Sequence, residues 1–266
     1  MQETGNKPKE KLNLTMYFGT DCFSFYISGD KQSNTAIETY HVNPSISLTA
    51  NLREAFSKLD FLNRDYSSIE VLTNSQHTLV PLDMFDDEIA QKLYQYNFPN
   101  LENRLVKYDV LPFANSVLIF SIDKSAYQFI LEHMPQARFH GWMSASINHF
   151  AEKSRHTVHT IMLAQMTDNK TEISIYKRGR ILFANSFTET TEADRLYYIL
   201  GAWNQCGLNQ QTDELFITFV TPQQKLNDEL SKYIANISDL NTTSDIPANG
   251  FSEAPYYIKT FNTCGI

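Results

Sequence analysis

Hydrophobic and polar residues alternate near the start of the chain in two short runs. The runs together span residues 12–28, and a polar turn at residues 19–21 separates them. Alternation with a period of two is typical of β-strands, and a short glycine-containing turn between two such runs indicates a hairpin. We therefore predict an N-terminal β-hairpin, and residues 29–42 are a candidate third strand beside it.

The same pattern returns in the second half of the chain. Residues 158–166 form an apolar run, residues 171–176 alternate, and residues 181–187 follow a turn that contains Gly179. This order predicts a three-stranded meander. Helical and strand patterns alternate after each β-led opening, so the chain has the same plan twice.

The repeated plan predicts an α/β protein with two duplicated lobes, each of which opens with a β-meander. We place the first lobe at residues 12–157, the second at residues 158–266 and a flexible N-terminus at residues 1–11. A dinucleotide-binding sheet would instead open with a strand, a glycine-rich turn and a helix. Since no G-x-G-x-x-G motif occurs in the sequence, we exclude that class.

Three later segments carry local signals for helices and strands. Thr191 and Asp194 have the spacing of a capping box, which predicts the start of a long helix. Pro222 suits the first turn of a helix that extends to about Asn236. The aromatic and branched residues between positions 255 and 261 predict a last edge strand.

Composition restricts the class of protein. The 266 residues are 42% hydrophobic and 20% charged, as in an ordinary globular protein, and the formal net charge is −8. We expect no nucleic-acid partner, because phosphate backbones attract clustered Lys and Arg and this acidic chain has no such cluster. The three cysteines lie far apart and no apolar run reaches the length of a membrane span. These features predict free thiols, no membrane span and a cytoplasmic location.

Known catalytic and metal-binding motifs are absent from the sequence. Neither H-E-x-x-H nor a serine nucleophile elbow occurs, and the cysteines form no C-x-x-C pair. Five histidines fall between positions 133 and 159, and we interpret them as core or surface residues rather than metal ligands. We predict no catalytic residue, no metal site and no small-molecule substrate.

Three stretches of sequence resemble a known superfamily. They are YFGTDCFSFYI at residues 17–27, the strand, strand and helix pattern of residues 106–134, and the meander of residues 165–187. Their order resembles the actin, Hsp70 and sugar-kinase superfamily, which has a ribonuclease H-like, actin-like ATPase fold. PilM, the cytoplasmic actin-like protein of type IV pilus assembly, has a similar pattern. An uncharacterised Bacteroidetes family with an actin-like ATPase fold is more similar still, through residues 79–81 and the helix that begins at Thr191.

The resemblance implies where a nucleotide would lie. In that superfamily, glycine-rich turns hold the phosphates and carboxylates order Mg²⁺. This chain has Tyr17 and Gln165 at the carboxylate positions, and no glycine follows the strand that ends near Thr218. We therefore predict a degenerate nucleotide cleft. The positions that remain of it are Gly19, Thr20, Asp21, Gln165, Asp168, Asn169, Lys170, Thr171 and Thr218.

The resemblance and the missing ligands together indicate a pseudo-ATPase, which is a non-catalytic scaffold or a protein- or peptide-binding module without a cofactor. By analogy with the pilus protein, we expect a protein or peptide partner bound by strand addition or groove docking. The alternative is an ATP-binding conformational switch, or a weak ATPase, that holds ATP and Mg²⁺ in the inter-lobe cleft. A role as a nucleic-acid accessory factor is a third hypothesis, and the net negative charge of the chain argues against it.

Overall fold

Two five-stranded sheets and one three-stranded sheet organise the described part of the chain. The computed structural model describes residues 12–29, 36–100, 102–167, 169–189, 191–219, 224–242 and 254–264. The N-terminal residues 1–11, which we predicted to be flexible, lie outside the described residues. None of the described helices has both the length and the hydrophobicity needed to cross a lipid bilayer.

The bounds of the elements follow the chain. The strands are β1 (Leu12–Phe18), β2 (Cys22–Gly29), β3 (Ala36–His41), β4 (Ser68–Thr73), β5 (His77–Pro81), β6 (Arg104–Leu111), β7 (Ser116–Asp123), β8 (Arg138–Gly141), β9 (Ile161–Met166), β10 (Lys170–Lys177), β11 (Arg180–Thr188), β12 (Glu214–Phe219) and β13 (Asn236–Asp239). The α-helices are α1 (Leu48–Lys58), α2 (Ala90–Asn97), α3 (Lys124–His133), α4 (Ser144–Lys153), α5 (Glu192–Gln205), α6 (Gln224–Leu230) and α7 (Tyr256–Cys264).

The first sheet contains the predicted N-terminal hairpin and the candidate third strand. Its strand order is β3-β2-β1-β4-β8, in which β2 is antiparallel to β1 and β3, whereas β1, β4 and β8 are parallel. On one face of this sheet, apolar residues such as Met16 and Phe25 form a core with Phe56 of α1 and Ile130 of α3. Because side chains alternate along a strand, Tyr17 points to the opposite face.

The second sheet repeats the plan of the first. Its order is β11-β10-β9-β12-β13, again with an antiparallel meander followed by two parallel strands. Met162 and Ile217 on its outer face form a core with Trp203 of α5 and Leu226 of α6. This repeat confirms the predicted α/β fold with two β-led halves, while the lobe boundary near residue 157 stays a prediction.

Helices α4 and α7 lie between the two sheets and join them in one hydrophobic core. The ring of Phe150 in α4 contacts the rings of Tyr176 and Phe216 in the second sheet. Helix α7 reaches the first sheet, where Thr15 Oγ1 donates a hydrogen bond to Asn262 Oδ1 at 3.0 Å. The space between the sheets is therefore packed with side chains rather than open.

The three-stranded sheet, which we call the small sheet, is inserted between β4 and α3. Its order is β5-β7-β6 and all its strands are antiparallel. Helix α2 covers one face through Tyr94, which forms a core with Val117 and Ile119. In this strand order β5 is an outer strand of the small sheet, just as β11 is an outer strand of the second sheet.

Two predictions near the C-terminus are wrong. Residues 256–264 form helix α7 rather than an edge strand, and helix α6 ends at Leu230 rather than near Asn236, where strand β13 begins. Consecutive residues 256–261 of α7 are all buried, because elements pack around the helix. A helix that is buried on several sides lacks the clear 3.6-residue alternation of apolar and polar residues that would distinguish it from a buried strand.

The capping box of helix α5 is confirmed, and replacing Thr191 with alanine should destabilise the protein by about 1 kcal/mol. The Thr191 hydroxyl accepts a hydrogen bond from the Asp194 N–H at 3.2 Å, and the Thr191 N–H donates to the Asp194 carboxylate at 2.9 Å. Urea-induced unfolding measures the change. Thr191→Ser keeps the accepting oxygen and should remain within about 0.5 kcal/mol of the parent, so equal losses in both variants would contradict the role of the cap.

Candidate functional site

Two turns, one from each five-stranded sheet, meet at the position predicted for the nucleotide. Gly19, Thr20 and Asp21 of the β1–β2 turn line a cavity together with Thr167 and Asn169 of the β9–β10 turn. The cavity volume is 70 Å³, whereas ligand pockets usually have about 300–1,000 Å³. The structure thus brings part of the predicted site together but leaves too little space for a nucleotide.

Three aromatic side chains, which we call the aromatic plug, take up the cleft beside this cavity. They are Tyr17 of β1, Trp142, which lies between β8 and α4, and Tyr257 of α7. The ring centroids are 4.9 Å apart for Tyr17 and Tyr257, 5.4 Å for Trp142 and Tyr257, and 6.2 Å for Tyr17 and Trp142. The Tyr17 hydroxyl accepts a hydrogen bond from Asn74 Nδ2 at 3.0 Å. All three plug residues are buried.

The phenols around the plug remain protonated at neutral pH. Burial raises the pKa of Tyr26 to about 12, although hydrogen bonds with Ser24 and Tyr257 oppose the shift. Burial likewise raises the pKa of Tyr257 well above its ordinary value. These hydroxyls are therefore neutral, and Mg²⁺ prefers carboxylate, phosphate and water oxygens. The cleft does not fit a magnesium-bound triphosphate.

The one glycine of the β1–β2 turn is needed by the plug itself. A Cβ atom at position 19 would lie 2.9 Å from Cε1 of Tyr17 and 3.0 Å from the carbonyl oxygen of Cys22. Optimal contact between carbon atoms is about 3.5–4.0 Å. The Gly19 N–H already donates to the Cys22 carbonyl at 3.0 Å, and the Thr167 N–H donates to the Lys170 carbonyl at 2.9 Å. Both turns use these donors internally instead of offering them to phosphate.

Two of the other predicted site residues have structural roles. Thr171 is buried, and its hydroxyl donates to Glu189 Oε2 at 2.6 Å. Glu189 also forms an ion pair with Arg195 of α5. The Thr218 hydroxyl donates to Asn241 Oδ1 at 2.9 Å. These contacts fix the ends of strands in the second sheet.

The side chains of Lys170 and Gln165 do not line the cleft cavity. Lys170 Nζ lies 2.9 Å from Glu172 Oε1, and His77 Nε2 approaches the other Glu172 oxygen at 3.7 Å. Burial lowers the pKa of His77 despite the attraction of Glu172, so this imidazole is neutral at neutral pH. Gln165 is 1% exposed and its amide has no hydrogen-bond partner among the described residues. Asp168 lies outside the described residues.

A charged cluster that was not predicted from the sequence lies on the face of the first sheet that contacts α7. His140 Nδ1 lies 2.8 Å from Asp109 Oδ1, and His140 Nε2 lies 3.2 Å from Glu70 Oε2. The Ser144 hydroxyl donates to Asp109 Oδ2 at 2.7 Å, and Arg138 forms an ion pair with Glu70. Burial alone would lower the pKa of His140, but the hydrogen bonds and charges of the two carboxylates raise it to about 9.

This cluster is a structural clamp rather than a metal centre. Each carboxylate occupies a different nitrogen of His140, so the donors do not converge on one point. Accordingly, no group of three or more His, Cys, Asp or Glu within the described ranges is arranged to hold a metal ion. The clamp ties Asp109 of the small sheet to β4 and β8 of the first sheet.

A large cavity forms a groove between the small sheet and the second sheet. Its volume is 680 Å³, and its long walls are residues 76–81 and residues 181–186. We call it the edge groove, because β5 and β11 are outer strands of their sheets. Phe98 and Lys170 are among the residues that complete its lining. Of the predicted site residues that the structure describes, only Lys170 belongs to it. The two walls come from segments about a hundred positions apart in the sequence.

The family of the chain follows from comparison with known sequences. Residues 2–237 match the profile of the protein family of unknown function DUF3822. The chain belongs to the DUF3822 family. No curated protein is similar enough to this DUF3822 chain to count as a relative.

Solved structures confirm the actin-like ATPase fold. A Bacteroides thetaiotaomicron VPI-5482 protein with actin-like ATPase fold and unknown function is 34% identical, with a TM-score of 0.81 over 92% of this chain and 96% of that chain. The PilM–PilN type IV pilus biogenesis complex contains a chain that is 9% identical, with a TM-score of 0.50 over 97% of this chain and 98% of that chain. The second likeness concerns the fold alone. Both resemblances expected from the sequence are thereby confirmed.

Substitution of Tyr17 should separate the packing of the plug from its hydrogen bond. Tyr17→Ala removes a buried ring and should destabilise the DUF3822 protein by about 3–5 kcal/mol. Tyr17→Phe keeps the ring and removes the hydroxyl that accepts from Asn74, so about 1 kcal/mol is expected. Chemical unfolding of both variants measures the difference. Similar small losses in the two variants would show that the ring does not fill the cleft.

The clamp should make stability depend on pH above neutrality. The pKa of His140 is raised in the folded protein, so its stabilisation is complete below about pH 6.5 and is lost as the pH rises through 9. The loss is on the order of 3 kcal/mol at most. Urea unfolding of the parent and of His140→Gln between pH 6 and 10 measures it. The stability difference between the two proteins should shrink as the pH rises, and a constant difference would rule out a protonated His140.

Proposed function

We propose that this chain is a non-catalytic binding module of the actin-like fold. In this proposal the inter-lobe cleft is closed to nucleotides, and the edge groove holds a segment of a protein partner. The contrast between the two cavities carries the proposal, since the cleft cavity has 70 Å³ and the edge groove 680 Å³. Only the second volume suits a ligand of several residues.

The chemistry of the cleft supports the absence of ATP hydrolysis. Phosphoryl transfer depends on backbone donors around the phosphates and on Mg²⁺ held by carboxylates. The donors of Gly19 and Thr167 are used inside their turns. Tyr17 and Gln165 occupy the positions at which the resemblance places carboxylates, and Tyr17 belongs to the aromatic plug. Each of these features alone weakens a nucleotide site, and in the proposal their combination with the small volume of the cleft cavity prevents ATP binding.

The edge groove supports a binding role instead. A concave site lined by apolar and a few polar side chains is the usual form of a ligand site. The structural neighbour named PilM–PilN was solved as a complex, but its low identity extends only the fold to this chain. The proposal therefore rests on the groove of this molecule. A cytoplasmic location is part of the proposal, and the free thiols of Cys22 and Cys206 are consistent with it.

Magnesium-ATP should leave the thermal unfolding of this protein unchanged. A ligand with micromolar affinity, added at millimolar concentration, would stabilise the folded state by about 4 kcal/mol. That stabilisation corresponds to a rise in Tm of roughly 8 °C or more. We expect a shift below about 1 °C, measured by differential scanning fluorimetry, with magnesium and inorganic phosphate as the control. A rise of several degrees with ATP alone would contradict the proposal and favour the ATP-dependent switch.

A further inference from the structure

We infer that the edge groove recognises its ligand through the main chain, so that an extended, uncharged segment of a partner protein adds as a strand to β11 and faces β5. This inference rests on the proposed function and names the ligand class of the same groove. It follows from the shape of the walls, from their charge and from the sequences of the outer strands.

The walls of the groove are strand edges rather than strand faces. Successive side chains of a strand point to opposite faces, so a cavity above a face touches every second residue. The edge groove instead touches six consecutive residues on each side, 76–81 and 181–186. Among the described residues, β5 pairs only with β7 and β11 pairs only with β10. Neither wall strand therefore has a partner strand on its groove side. Two wall groups already have side-chain partners, since the Ser186 N–H donates to Asn185 Oδ1 and the Gln76 carbonyl accepts from the Tyr94 hydroxyl. An extended peptide is the ligand that satisfies the remaining N–H and C=O groups of such edges in series.

The length of the walls sets the length of the segment. Six residues at about 3.3 Å per residue give a wall of roughly 20 Å. An added strand of about five to seven residues matches that length.

The charge of the lining indicates an uncharged segment. Although the whole chain has a net charge of −8, no Asp or Glu is among the described residues that line the groove. Lys170 alone carries a formal charge there, and Glu172 pairs with it. His77 is neutral because burial lowers its pKa. The lining also combines uncharged polar residues with apolar ones such as Phe98, Leu182 and Phe183, so the segment should carry aromatic or branched side chains together with uncharged polar ones.

The outer strands of the molecule differ in how they are protected. Edge strands usually carry charges or other devices that prevent unwanted pairing. The outer strands β3, β6, β8 and β13 each contain at least one Asp, Glu, Lys or Arg. Strand β5 contains none, and β11 contains none after Arg180. The protection of these two strands is thus confined to their ends, Arg180 at the start of β11 and Pro81 at the end of β5, and the uncharged stretches face each other across the groove.

A second cavity of 590 Å³ lies where β12 and β13 begin, and it is the strongest alternative. It has one edge wall, residues 235–238, and Glu214 is part of its lining. A cavity with one strand-edge wall and an acidic residue does not support the addition of an uncharged strand between two edges, so the edge groove is the site to test.

The test uses a phage-displayed library of random heptapeptides, selected on the full chain. An enriched peptide is synthesised, and its affinity is measured by fluorescence anisotropy. Leu182, which is 51% exposed at the groove, is replaced by arginine, and Met84, which is 70% exposed and does not line the groove, receives the same substitution as a control. We expect Leu182→Arg to weaken binding at least tenfold and Met84→Arg to change it less than twofold.

N-methylation of single peptide bonds in the same peptide then tests the mode of recognition. In an added strand, alternate N–H groups point toward β11. Methylation should therefore weaken binding at least tenfold at alternate positions. Losses at every interior position would also support main-chain recognition, with the segment paired to both edges.

The outcomes separate the two proposals. Binding that depends on Leu182 but tolerates every N-methyl group would overturn strand addition and leave the binding function intact. Failure to enrich any peptide, or equal effects of Leu182→Arg and Met84→Arg, would overturn the groove as the binding site and the proposed function with it. A dimer of the parent chain that Leu182→Arg dissolves, measured by light scattering, would show that a second copy is the occupant and would also overturn the inference.

Discussion

The packing of Tyr17 against Trp142 and Tyr257 is the contact on which the rest of the site depends. A tyrosine at this strand position adds a buried ring to the cleft, where the resemblance implies a carboxylate. The ring requires a glycine at position 19, and it provides a surface for helix α7. The two five-stranded sheets are consequently held together by an apolar core where nucleotide-binding relatives of the fold would need a polar cavity.

Because aromatic side chains fill the cleft, we look for a binding site at the outer strands of the fold instead. The actin-like architecture is shown by the comparison with the Bacteroides protein, yet a fold alone does not specify a ligand. The small sheet forms one wall of the edge groove, since its outer strand β5 lies opposite β11. The clamp around His140 holds this sheet to the first sheet through Asp109. One wall of the groove is thus anchored to the first half of the molecule and the other wall belongs to the second half.

The sequence predicted local structure better than it predicted sites. Alternation identified the hairpin and the meander, and the spacing of Thr191 and Asp194 identified the start of α5, because these signals lie within a few residues. The ligands of His140 are 31 and 70 residues away from it, and no local pattern connects them. The edge groove was not predicted for a related reason. Whether a strand lies at the edge of a sheet depends on the strand order, which no local sequence pattern specifies. Resemblance indicated that Tyr17 replaces a carboxylate, but only the coordinates show which rings it contacts.

The contact between β1 and α7 also has a consequence for how the molecule is made. Thr15 and Asn262, which share a hydrogen bond, are separated by 247 positions. During synthesis, the N-terminal half emerges first and can form its hairpin and the core below it, but the opposite face of that sheet remains uncovered until translation reaches α7. Such distant pairings slow folding, because a very long loop must close before its contacts form. The nascent chain would therefore expose Tyr17 and its neighbours until helix α7 has been synthesised, a period in which chaperones can recognise them.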